Sequence, residues 1–143
     1  LEKAGEYDAL LDSIRSNYQP MIDAGASTVW EMFAGSQFDT RGFPTRSHCH
    51  AWASSPIWFL NSIVLGIRQT QAGGQAFEIS PWVGDLTSAS GAMATPKGPV
   101  HVDWKLTGKT LRINIAAPKS VKTQFKSNVS HEGLEVIVEE KDK

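Results

Sequence analysis

The chain has 143 residues, 14 basic and 15 acidic side chains, and a formal net charge of −1. So even a balance gives no support to nucleic-acid or anionic-membrane binding, both of which favour basic patches. With 41% hydrophobic residues the chain can build a core, which argues against global disorder, and its length allows one ordinary domain or two small units. The single cysteine, Cys49, excludes an intramolecular disulfide and says little about compartment.

In chain order, the first segment is "LEKAGEYDALLDSIRSNY", which carries no signal-peptide pattern and reads as if entered in mid-domain. Tyr7, Leu10, Leu11, Ile14 and Tyr18 recur at three- and four-residue spacing, one apolar face of a helix, with Pro20 marking an end or a kink. "STVWEMF" (27–33) reads as a short helix with Ser27 or Thr28 as its N-cap. A loop over 34–47 follows, and the stretch 27–52 around it is crowded with aromatic, polar and turn-forming residues, the composition of a pocket wall. "ASSPIWFLNSIVLGIRQTQ" (53–71) predicts a second long helix, capped by Ser54 or Ser55, with Pro56 in its first turn and Gly66 late. This helix is apolar almost all round, so burial on several sides is expected. Its core, "PIWFLNSIVLGI", is about half the length of a membrane span and is interrupted by Asn61 and Ser62.

From Gly73 the period changes to two. "AFEIS", "HVDWKL", "TLRINIAA", "VKTQF" and "LEVIVEE" are strand candidates, with Thr107, Gly108 and Lys109 joining the second and third in a hairpin. Glycines and "TPKGP" (95–99) punctuate them. Helices followed by antiparallel strands indicate an α+β arrangement by segment, with a boundary near "QAGGQ" (71–75) separating residues 1–72 from 73–143. Three helices ending in an almost wholly apolar member cannot cover one another, so the chain reads as the C-terminal piece of something larger.

Three motifs in order then carry a resemblance. They are T-x-W-E (Thr28, Trp30, Glu31), the S-x-C-H-A-W segment (Ser47 to Trp52), and the P-x-G-x-V-x-V-x-W hairpin entry (Pro96 to Trp104). Together, and over residues from about 5 to about 125, the chain closely resembles the C-terminal end of bacterial α-L-rhamnosidases of glycoside hydrolase family 78. The resemblance implies the last helices of an (α/α)6 catalytic barrel in residues 1–72 and an antiparallel β-sandwich in 73–143. It implies an inverting hydrolase of terminal α-L-rhamnosyl residues; no cofactor and no metal are expected. Glu31, in the family's T-x-W-E position, is then the general base. His50, or failing that His48, is the pocket histidine about twenty residues further on. Trp30, Trp52 and Trp58 offer apolar faces to the sugar. The general acid lies upstream of Leu1, so the chain alone is expected to be inactive. The implied partners are a rhamnose-containing carbohydrate and either the upstream part of the barrel or a second copy packed on the 56–67 helix. The implied source is bacterial, with a periplasmic or secreted setting favoured over the cytoplasm.

Plainer readings stand beside these. Without the motif, Glu31 is an ordinary helix-face glutamate. His48, Cys49 and His50 begin a metal site that lacks a convincing further ligand. Cys49 beside His50 outlines a thiol nucleophile, but a buried structural cysteine is the expectation. Trp82 and Trp104 read as sandwich core, and "DTR" (39–41) and Arg46 equally as pocket residues or loop ion-pair formers. The "NVS" sequon at 128–130 carries no weight in a chain of bacterial resemblance, and "EEKDK" reads as a solvated tail. The competing functional reading is a standalone carbohydrate-binding or structural β-sandwich module with a helical appendage. Such a module has no reason to keep T-x-W-E at a set distance from S-H-C-H-A-W.

Overall fold

In the computed structural model, which describes residues 1–33 and 46–142, the first long element is helix α1, Tyr7–Asp23. Its apolar spacing buries Leu10, Leu11 and Met21 and half-buries Tyr7, Ile14 and Tyr18. Outside that face, Arg15 pairs with Asp12 at 3.0 Å and Gln19 donates to Asp23 at 2.7 Å. Pro20 neither ends nor delimits the helix. It sits inside the last turn, and the helix runs on to Asp23, where the Ala24 amide bonds back to the Pro20 carbonyl.

The chain divides into two compact units, Leu1–Trp58 and Phe59–Lys143. In the first, "STVWEMF" is not a helix. Residues 27–33 carry no regular helical structure, because their main-chain groups are bonded to a distant segment rather than to their own i−4 neighbours. The long helix expected over 53–71 is likewise replaced by shorter pieces. A 3-10 turn, Ala51–Ser54, leads into helix α2, Pro56–Phe59, which continues as a π-type turn, Leu60–Val64. The apolar run is split in exposure. Ile57, Trp58 and Leu60 are 61%, 56% and 42% exposed, whereas Ile63 and Val64 are buried.

Gly66 ends the helical run. Its φ of +68° is a left-handed conformation that any residue with a Cβ adopts at a cost, and a Cβ there would lie 2.1 Å from the Ser80 carbonyl carbon. Beyond it, Ile67–Gln71 is not the helix tail but strand β1, whose Ile67 faces inward. The remaining strands are β2 (Ala76–Ile79), β3 (Ser88–Met93), β4 (Val100–Thr107), β5 (Thr110–Ala117), β6 (Lys122–Phe125) and β7 (Glu135–Asp142). They form a three-stranded sheet in the order β1-β2-β6 and a four-stranded sheet in the order β3-β4-β5-β7. β7 absorbs most of the "EEKDK" segment read as a tail.

The β4–β5 hairpin follows the alternation of its sequence. Val100, Val102 and Trp104 face Leu111, Ile113, Ile115 and Ala117 on the buried side, in a register that pairs Trp104 with Ile113 and Val102 with Ile115. Gly108, at φ +60°, takes the first central position of the connecting turn. The sheets are mixed rather than antiparallel. β6 runs parallel to β2 and β7 parallel to β5. Parallel neighbours need a crossover, and here β6 supplies it, because the chain leaves β5, adds β6 to the other sheet and returns as β7. Trp104 is core, 2% exposed, while Trp82 is half-buried.

Candidate functional site

Two stretches of the first unit lie side by side. The Glu31 amide donates to the Ser47 carbonyl at 2.9 Å, and the His50 amide donates to the Val29 carbonyl at 3.0 Å. The Thr28 hydroxyl bonds the His48 carbonyl. Thr28 is therefore not a helix cap; it ties the T-x-W-E stretch to the S-H-C-H stretch. The local sequence permits this because neither stretch carries an apolar period of its own, so its main-chain groups are satisfied across the gap.

This pairing brings together most of the residues singled out from the sequence. Glu31 is half-buried, and its Oε1 lies 3.1 Å from Nη2 of Arg46. Trp30 is buried, and the exposed His48 ring stands edge-on to it with centroids 5.2 Å apart. His50, half-buried, stands edge-on to Trp52 at 5.7 Å, and Trp52 is 90% exposed. Trp58 is exposed in the first turn of α2, and no ring contact joins it to the others among the described residues. From α1, the Tyr18 hydroxyl donates to the Ala53 carbonyl at 2.7 Å, and the Tyr18 ring meets Phe33 edge-on at 5.4 Å. Cys49 is exposed, not buried, because the Ser47 hydroxyl and the Cys49 main chain hold the tripeptide in a local turn. The residues of "DTR" (39–41) lie outside the described residues. Arg46 forms an ion pair, and its partner is Glu31 itself.

Chemically, the arrangement presents one half-buried carboxylate beside a guanidinium, with imidazole and indole groups near it on the adjoining stretch. A carboxylate so held can accept a proton, and the exposed rings can pack on an apolar sugar face. Among the described residues no three His, Cys, Asp or Glu side chains stand together as a metal ion would require. No helix among them is long and apolar enough to cross a membrane.

The second unit holds a different polar cluster that sequence reasoning missed. His131 is 4% exposed and stacks on Phe125 at 5.9 Å. Its Nε2 lies 2.7 Å from the Pro81 carbonyl, and its Nδ1 receives the Asn128 amide at 3.3 Å. These partners define the neutral Nε2–H form, and burial lowers its pKa below 6.5, with the Pro81 bond opposing. Asn128 donates to Ser80 Oγ and the Pro81 carbonyl, at 3.0 and 2.8 Å. The sequon asparagine is thus a structural pin, and the legible signal was the cap pattern of Asn128 with His131 three residues on. A cavity of about 470 Å³ opens on the three-stranded sheet, lined by Thr70, Gln71, Glu78, Lys122 and Gln124 among others. Phe77 is the aromatic residue in its lining and is itself buried, and Glu78 is paired with Lys126 at 3.4 Å.

Residues 66–142 match the family model described as the bacterial alpha-L-rhamnosidase C-terminal domain. The chain belongs to that family. The match begins at Gly66, the residue that opens the sandwich. Similarity to individual rhamnosidases reaches further. The alpha-L-rhamnosidase of Alteromonas sp. (strain LOR) is 26% identical over 134 residues, 87% of this chain and 14% of that protein. That of Formosa agariphila is 28% identical over the same shares. The crystal structure of a GH78 family rhamnosidase of Bacillus sp. GL1 superposes with a TM-score of 0.86 at 34% identity, covering 100% of this chain and 15% of that one. The chain therefore spans about one-seventh of the rhamnosidases it matches, and its two sheets correspond to the C-terminal β-sandwich of such an enzyme.

Proposed function

We propose that the chain is the C-terminal part of an inverting α-L-rhamnosidase, with Glu31 as its general base. The observation that carries this reading is the pinning of Glu31 against 46–50, in a segment that lies outside the sandwich yet inside the superposition with the Bacillus enzyme. A binding module would need no such carboxylate. Residues before the sandwich would then be the closing segment of an (α/α)6 barrel whose other helices lie upstream. The exposed Ile57, Trp58 and Leu60 would be covered by that upstream part, an apolar patch of the kind that marks an interface.

In the reaction, Glu31 removes a proton from water as its oxygen attacks the anomeric carbon on the face opposite the leaving group. An upstream carboxylic acid gives its proton to the glycosidic oxygen as the bond from the anomeric carbon breaks. The products are rhamnose of inverted anomeric configuration and the free alcohol. The two carboxyl groups stand roughly 6.5–9.5 Å apart in such enzymes, leaving room for the water. His50 or His48 would hydrogen-bond sugar hydroxyls in the same subsite, and Trp52 would pack on the methyl-bearing face.

The test is an assay of an aryl α-L-rhamnoside with this chain alone and with the longer polypeptide that carries it. The reading expects hydrolysis only from the latter, with the anomeric product inverted by NMR. Hydrolysis by the 143-residue chain alone, or retained configuration, contradicts it.

A further inference from the structure

We propose that Arg46 is a positioning residue for Glu31, a role that rests on Glu31 acting as the base. Arg46 and Ser47 are consecutive, and they hold Glu31 at two points. The Ser47 carbonyl accepts from the Glu31 amide at 2.9 Å, and Nη2 of the Arg46 guanidinium pairs with Glu31 Oε1 at 3.1 Å. The first bond sets where the Glu31 backbone sits, and the second sets where its side chain points. Among the described residues the guanidinium engages Oε1, and Oε2 would then be the oxygen that receives the proton from water.

The chemistry of the partner fits this task and excludes a part in proton transfer. A guanidinium remains charged throughout and has no lone pair to offer, so it neither gives nor takes the proton. The Arg46 side chain is 68% exposed, against 26% for that of Glu31. An ion pair with so exposed a member contributes little to folding. Its consequence is therefore expected in the rate rather than in the melting temperature. A misplacement of the reacting group by about 1 Å costs on the order of 10²-fold in rate.

The experiment compares Arg46→Gln, Arg46→Lys, Glu31→Gln and the double variant Arg46→Gln/Glu31→Gln in the complete rhamnosidase. Arg46→Gln is expected to lower kcat by about 10- to 100-fold with KM within about two-fold of wild type. Arg46→Lys is expected to recover part of that loss by restoring the charge. In the Glu31→Gln background, Arg46→Gln should have no further effect, since the group it positions is gone. If Glu31→Gln abolishes turnover and Arg46→Gln leaves kcat unchanged, the role of Arg46 is overturned and the base assignment stands. If Arg46→Gln raises KM alone, or lowers kcat equally in both backgrounds, it acts on the sugar or the fold and the proposal fails. If Glu31→Gln itself leaves kcat unchanged, the base assignment fails first.

Discussion

The indole Nε1 of Trp104 donates to the main-chain carbonyl of Val64 at 2.8 Å, joining the centre of β4 to the end of the helical run that precedes β1. Both partners are buried, so neither can exchange this bond for one to water. Trp104→Phe keeps most of the ring but orphans that carbonyl and leaves a void. The expected loss is about 2–4 kcal/mol of unfolding free energy, read from urea transitions by far-UV circular dichroism. A midpoint within error of wild type would show that the bond is dispensable.

Gly66 and Gly108 separate two costs. Both have positive φ, but a Cβ at Gly108 meets nothing within 4 Å, whereas one at Gly66 collides with the Ser80–Pro81 backbone. Gly108→Ala should cost about 1–2 kcal/mol, the conformational term alone. Gly66→Ala should cost considerably more, because β2 must move. Equal costs would mean that the close approach is relieved elsewhere.

His131 makes the second unit sensitive to acid. Its folded pKa lies below 6.5 because burial disfavours the charged ring, and in the neutral form both ring nitrogens are already partnered. Around it stand the Phe125 ring, the Ser127 hydroxyl, the Asn128 amide and the Pro81 carbonyl, with no carboxylate among these contacts. The unfolded chain then binds the proton first. The stability from His131 is complete above its unfolded pKa of about 6.5 and is lost as pH falls from there through the folded value. His131→Gln should be less stable at pH 7.5 and should lose this component of the pH dependence. An unchanged slope between pH 7 and 5 would assign the effect to other groups.

What the sequence made legible follows from locality. The β4–β5 hairpin alternates strictly and turns at Gly108, and its observed bounds differ little from the expected ones. β1 was hidden because "IRQTQ" follows an apolar run and extends its helical pattern, and the stop depends on Gly66 meeting Ser80, which lies far along the chain. β3, "SASGAM", shows no apolar alternation because two of its three half-buried positions are Ala89 and Gly91, with Met93 as the third. The directions of β6 and β7 are not encoded in alternation at all. At the site, Glu31 and the two histidines stood out through their motifs. The non-helical form of 27–33 did not, because it is imposed by bonds to residues about twenty positions away. Arg46 remained undecided for the same reason.

The central claim is that Glu31 activates water. A general base contributes about 10²–10⁴-fold to rate. The direct measurement is kcat of Glu31→Gln against wild type, in the complete rhamnosidase at saturating aryl α-L-rhamnoside. The amide keeps the shape of the side chain, so binding should survive while kcat falls by at least about 10²-fold. Added azide, a nucleophile that needs no base, should restore turnover. A kcat within a few-fold of wild type would contradict the account.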